Sequence, residues 1–435
     1  MKIKALKSYI LLWSTQSLSA LGSGMTSYSL VLWLYLDSGS ALKTALLSIC
    51  SYAPYVLMSI FAGALSDKWN KKRTMLFCDL AAALSTVAVY VLIKSDALEV
   101  WHLYLLNALN GLMNTVQQPA GEVAATLLIP KEYYQKTSGL RSFSQSLNSI
   151  LTPIIATALF TLAGIDTVIA VDLITFAAAF LTLLLFIKVP EPEKTAQTGE
   201  SLLSSARRGL VWLKQNPLIL NLILFLASIN FVASIYDAAL PAMILSKEVG
   251  GETVLGIMNA CVGLATLVGS IFVTLISAPK NRVRVICIAL LISMSTENFM
   301  LAFGGSPVIW CIGAVLGWLP IPLMNANMDV IFRTEIPPEM QGRVFSCRNT
   351  LQFFTIPLGF LAGGFFVDSV FEPFMKSRPS DSFLVSLFGG EKGAGAALLF
   401  FVIGIAGVGV CLIFSAILRK YKWSEKQPGV IGKDK

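Results

Sequence analysis

Charge is scarce in this sequence. Lys, Arg, Asp and Glu make up 13% of its 435 residues, about half the share of an ordinary soluble domain. There is one histidine, His102, so a histidine proton relay has no material to work with. The seven cysteines (50, 78, 261, 287, 311, 347 and 411) are odd in number and lie inside apolar runs. They lack metal-ligand spacing and read as small buried residues rather than disulfides or zinc ligands. No glycine-rich nucleotide loop is present, and no nucleophile, base and metal ligands gather at one depth. An ATP-driven pump and a membrane-embedded enzyme are therefore set aside, and neither cofactor nor metal is expected.

What remains is apolar. Hydrophobic residues make up 55% of the chain, and mean hydropathy is +0.71. Apolar segments run over 9–36, 43–65, 74–93, 101–121, 138–163, 168–187, 218–244, 254–278, 284–303, 308–332, 343–370 and 395–418. Each is near or above the ~20 residues that a membrane-spanning helix needs. The expectation is an all-α, multi-pass integral membrane protein with twelve transmembrane helices. The stretch after Met-Lys-Ile-Lys is too long for a signal-peptide core and reads as the first span.

Residues 188–217 interrupt the pattern with Lys188-Val189-Pro190-Glu191-Pro192-Glu193-Lys194 and later Arg207-Arg208. They divide the chain into an N-terminal six-helix bundle (1–187), a linker (188–217) and a C-terminal six-helix bundle with a tail (218–435). Within the linker, 201–215 is patterned as an amphipathic helix offering Leu202, Leu203, Leu210, Val211 and Leu213 to lipid. The halves echo one another at an offset of 207: Glu122 with Asp329, Pro130 with Pro337, Arg141 with Arg348 and Gln145 with Gln352. Parallel repeats around a central cavity are an arrangement of secondary transporters.

Lysine and arginine fix the orientation. Of 33, only Lys43, Lys94, Lys247, Lys376, Arg378 and Lys392 fall in alternate loops, and the rest lie on the side of the termini and linker. That bias places both termini in the cytoplasm and the protein in the cell membrane. It also accounts for the net charge of +8 without nucleic-acid binding. The partners expected are the bilayer, a small-molecule substrate and protons, with the chain acting as a monomer.

Gly63-Ala64-Leu65-Ser66-Asp67-Lys68-Trp69-Asn70-Lys71-Lys72-Arg73 forms a tight charged turn between two apolar runs. The basic cluster suits an anionic membrane face. Asp67 suits the positive end of a neighbouring helix, Gly63 a close helix approach, and Asn70 a left-handed turn. This turn resembles the loop between the second and third helices of major facilitator superfamily transporters, with Asn70 in place of the usual second glycine. The six-plus-six layout extends the resemblance along the whole chain. Gln118-Pro119-Ala120, Leu127-Leu128-Ile129-Pro130-Lys131-Glu132, Ala170-Val171-Asp172-Leu173 and Gly342-Arg343-Val344-Phe345-Ser346 resemble the macrolide-efflux branch of drug:proton antiporters, which siderophore exporters also resemble. Two features depart from that branch. Asn110 stands where an arginine is usual in the fourth helix, and Thr152-Pro153 lacks the flanking glycines of the fifth-helix antiporter motif.

The resemblance implies alternating access and export of a hydrophobic or amphipathic compound, of macrolide or multidrug type, driven by an ion gradient. A siderophore or other secreted metabolite is the alternative cargo, and a non-transporting sensor or assembly protein the alternative class. Intramembrane ionisable groups are costly to bury and so are candidates for function. Asp237 and Glu297, in the outer halves of the seventh and ninth spans, are candidates to bind a proton or cation. Glu122, Arg141, Asp329 and Arg348, near cytoplasmic helix ends, are candidates for an inner gate together with Gly63, Asp67, Lys68, Asn70, Lys71, Lys72 and Arg73. Polar residues on apolar helices must face water or protein. Gln16, Asn114, Gln117, Gln145, Asn148, Asn230, Tyr236, Asn325, Asn349 and Gln352 are accordingly expected to line the passage. Asp79, toward the inner end of its helix, and Asp172, toward the outer end, read as packing or capping groups.

Overall fold

Where the sequence is continuously apolar the backbone must satisfy its own hydrogen bonds, and it does so as helix. A computed structural model describes residues 2–129, 134–190, 202–277 and 279–421, without the side chains of 2–6, 59–68, 134–139, 141, 142, 202–206, 274, 333, 338, 339, 341, 342 and 346. The first half contains α1 (Lys2–Ser38), α2 (Ala41–Lys68), α3 (Lys71–Lys94), α4 (Val100–Leu128) and α5 (Tyr134–Leu185). α5 is two spans in one. Gly164, at φ 77° and ψ 173°, folds it back into limbs 134–163 and 165–185, a backbone setting that suits glycine.

α6 (Leu202–Gln215) leads into α7 (Pro217–Ser246), α8 (Glu252–Leu275) and α9 (Arg282–Phe303). The tenth span is broken into α10 (Pro307–Trp318) and α11 (Ile321–Glu335) at Leu319-Pro320, where proline supplies no amide donor. The eleventh runs through α12 (Pro338–Phe353), α13 (Thr355–Phe365), a π-helical turn (Phe366–Phe371) and α14 (Glu372–Lys376). A short α15 (Phe383–Phe388) precedes the last span, α16 (Ala394–Leu418). The twelve spans form two six-helix bundles, and the face that carries the linker is called here the linker face.

Among the described residues, nine helical stretches are long and apolar enough to cross a membrane, Phe143–Leu185 counting once for two spans. α1 and α4 are not among the nine. Their deficit is a polar stripe on each: Gln16, Ser19, Ser23 and Thr26 on α1, and Asn107, Asn110, Asn114 and Gln117 on α4. The 3–4 residue spacing keeps each stripe on one face, and both stripes line the same cavity inside the first bundle.

The largest apolar core among the described residues is centred in the second bundle, around Leu222, Phe225, Leu290, Trp310, Phe332 and Phe400, and reaches Leu32, Tyr35 and Ala41 of the first. In the first bundle α2 and α4 meet at Gly111, where a Cβ would come within 2.2 Å of the Ser51 carbonyl oxygen.

Two expectations change. The turn between α2 and α3 is only Trp69-Asn70. Asn70 is extended (φ −64°, ψ 118°), and its side chain accepts from the Arg73 amide as the N-cap of α3. Its value there is a hydrogen-bond acceptor for an orphan amide, not tolerance of a left-handed turn. Residues 202–215 do form a helix. Leu210 and Val211 are exposed, but Leu213 is 1% exposed, and Gly209 lies against the Arg343 carbonyl and Cys347 of α12. One side of this helix therefore serves the protein rather than the lipid. The side chains of Leu202 and Leu203 lie outside the described ones.

Candidate functional site: polar cavities inside the two bundles

The second bundle encloses a cavity of about 220 Å³, lined among others by Asn230, Tyr236, Asp237, Glu297, Trp318, Asn325 and Gln352. Asp237 lies two thirds along α7 and Glu297 beyond the middle of α9, so both are in the half remote from the linker face, as expected. Their settings differ. Asp237 is exposed, whereas Glu297 is 4% exposed and accepts from the Trp318 indole N–H at 3.0 Å. Gly317 makes room for that carboxylate, since a Cβ there would meet Glu297 Oε2 at 2.6 Å. Asn230 donates to the Gln352 carbonyl at 3.2 Å and so ties α7 to α12. Tyr236 is buried edge-on against Phe400.

The first bundle encloses a larger cavity, about 400 Å³. Gln16, Asn114 and Gln117 line it, and so do Asp79 and Asp172. Asp79 accepts from Gln117 and, at 3.4 Å, from Gln16. Asp172 accepts from Ser23 at 3.0 Å and is 3% exposed. Neither carboxylate caps a helix; of the packing and capping roles expected, each instead meets side chains of neighbouring helices. The signal that finds them is the pair of stripes on α1 and α4, which requires a polar partner on α3 and on limb 165–185. Gln16 and Gln117 also border an adjoining groove of about 380 Å³ that runs past Gln145 and Asn148 to Glu122. Asn148 donates to the Ser17 carbonyl at 3.2 Å, while Glu122 and Gln145 are exposed. Asn349 is half-buried on α12.

The basic turn has structural partners. Lys71 is 3% exposed, and Lys72 Nζ donates to the Leu184 and Ile187 carbonyls at 2.9 and 2.8 Å. Arg73 is exposed. The side chains of Asp67, Lys68 and Arg141 lie outside the described ones, and Gly63 falls within the backbone of α2. Asp329 and Arg348 do not pair in this conformation. Arg348 stacks on Phe332 at 4.8 Å and donates to Gln352 at 3.2 Å, and Asp329 is exposed. His102 Nδ1 accepts from the Glu99 amide, so it caps α4.

At the face remote from the linker, described hydrogen bonds join the bundles. Tyr35 donates to the Ala242 carbonyl at 3.0 Å and lies 2.7 Å from Ser246 Oγ. The Asp368 carboxylate accepts from Ser40 Oγ (2.6 Å) and from the amides of Ala41 (3.0 Å) and Leu42 (2.9 Å). An acid on the eleventh span thus caps the second span across the bundle boundary, satisfying amides that no intrahelical carbonyl can reach. Sequence spacing gave no hint of this pairing. Gly364 closes the contact, with Leu42 Cα 2.6 Å from where its Cβ would stand.

The sequence model of the Major Facilitator Superfamily matches residues 12–236. Macrolide efflux protein A of Streptococcus pyogenes is 22% identical over 369 residues, covering 84% of this chain and 90% of that protein. The enterobactin exporter EntS of Citrobacter koseri is 22% identical over 288 residues, 65% of this chain and 66% of its own. In three dimensions, a bacterial homologue of the human lysosomal transporter Spinster, solved inward-facing and unoccupied, superimposes with a TM-score of 0.72. That match covers 98% of this chain and all of the other at 14% identity.

Proposed function

The chain belongs to the major facilitator superfamily, and from that premise we propose that it exports a hydrophobic or amphipathic compound by alternating access, driven by a proton gradient. It is a multi-pass membrane transporter and not an enzyme. In this reading 1–187 and 218–435 rock about the linker 188–217, both termini are cytoplasmic, and the monomer is the working unit. The lysine and arginine asymmetry supports that orientation.

The observation that carries the proposal is the second-bundle cavity. Two carboxylates, Asp237 and Glu297, share it with Asn230, Asn325 and Gln352. Among the described residues that line it, none is cationic. Glu297 is the buried one of the two, and a buried acid without a cation is costly to keep charged, so protonation and substrate arrival compete for the same space. Glu122, Asp329, Arg348 and the 63–73 turn belong to the inner gate, which engages when the cavities open outward. A macrolide-like cargo is supported by the efflux relative, and a siderophore-like metabolite by the enterobactin exporter.

The test is accumulation of dyes, macrolides and siderophores in cells stripped of their own efflux pumps, at two external pH values. Expression lowers accumulation of at least one compound, and Asp237→Asn abolishes the pH dependence of that effect. If every compound is retained regardless of expression, the exporter reading fails. If Asp237→Asn matches wild type, the role of Asp237 falls.

A further inference from the structure

The first-bundle cavity has a composition that the export reading leaves unused. It is walled by α1, α3, α4 and limb 165–185, with Ser51 of α2, and holds Asp79 and Asp172 with carboxamides and hydroxyls around them. Among the described residues that line it, none is lysine, arginine or histidine. Two buried polar atoms facing it make no well-formed hydrogen bond: Thr26 Oγ1, which lies beside the Asp172 carboxylate, and Asn110 Oδ1. Thr26 is 6% exposed. Membrane interiors rarely leave such groups idle, because each orphan costs free energy.

The two acids sit at different depths. Counting from the linker face at the rise of a helix, Asp79 is about 12 Å along α3 and Asp172 about 20 Å along limb 165–185. Their separation in depth is therefore roughly 8 Å. Each has its own donors, Gln16 and Gln117 for Asp79 and Ser23 for Asp172. The cavity is too large for a bare ion to touch both acids at once, and its oxygens are acceptors for N–H groups.

We propose that this cavity is a binding site for an elongated organic dication, an α,ω-diammonium compound whose two heads meet Asp79 and Asp172. The carboxamide and hydroxyl oxygens take the remaining N–H donors, and Leu103, Leu106 and Phe176 cover the methylene chain. The site lies in the opposite bundle from Asp237 and does not depend on what the protein exports.

The test is equilibrium binding to the purified full-length protein in detergent, using 1,5-diaminopentane, pentylamine and 1,5-pentanediol as probes. The diamine binds at least tenfold more tightly than pentylamine, and the diol does not bind. Asp79→Asn and Asp172→Asn each bring diamine affinity down to the monoamine level, while Glu248→Gln, on the exposed surface, leaves it unchanged. Each variant is first checked for a monodisperse elution profile, and if Asp172→Asn does not fold, Asp79→Asn decides alone. Equal affinity for diamine and monoamine overturns the proposal, as does wild-type binding by the variants. Displacement by sodium chloride with no preference for chain length overturns it in favour of an inorganic ion site. Because no transport is measured, these outcomes are separate from failure of the export reading.

Discussion

Replacing Asp368 by asparagine weakens the seal between the bundles at the proposed outer face. The carboxylate accepts three hydrogen bonds from the start of α2, at 2.6, 3.0 and 2.9 Å. A hydrogen bond to a charged group contributes about 1.5–3 kcal/mol, and an anion at a helix N-terminus about 0.3–2 kcal/mol. Asparagine keeps one acceptor but loses the charge, and turns an NH₂ toward amides that also donate. Because Asp368 is half-buried, the lower part of the range applies, about 2 kcal/mol in total. That corresponds to a roughly 30-fold fall in the ratio of sealed to unsealed molecules. Spin labels at Asp37→Cys and Ser380→Cys, on a background without the native cysteines, report the outer gap by electron–electron distance measurement. The Asp368→Asn protein shows a new population at longer distance, and Ser40→Ala, which removes one donor, shows a smaller one. A folded Asp368→Asn protein with the wild-type distance distribution would refute the latch.

Three further outcomes follow from local geometry. Gly111→Leu drives a side chain into the Ser51 backbone and lowers stability in detergent by at least about 1–3 kcal/mol, read as a fall in the thermal midpoint. Lys72→Met strips the Leu184 and Ile187 carbonyls of their donor and costs about 1–2 kcal/mol by the same measurement; Lys72→Arg recovers part of it. Trp318→Phe removes the indole donor from Glu297. Paired with Glu297→Gln in a double-mutant cycle on thermal stability, it gives a coupling of about 0.5–3 kcal/mol, and an additive result would show that the contact contributes nothing.

The membrane class, the number of spans and the two-bundle layout were legible in the chain because a bilayer imposes them residue by residue. Apolar length and backbone self-satisfaction are local demands, and local demands leave a local pattern. The polar face of each helix was legible too: Gln16, Asn114, Gln117, Asn230, Asn325 and Gln352 all line cavities. Which faces meet was not. Asp79 and Asp172 are 93 positions apart, and only the packing of α1 and α4 against their helices brings both into one cavity. Asp368 reaches α2 across more than 320 residues. Asn70 caps a helix where its sequence setting favoured a left-handed turn. Periodicity says that a side chain needs a polar neighbour, whereas the identity of that neighbour depends on helix crossings that distant, mostly apolar contacts set.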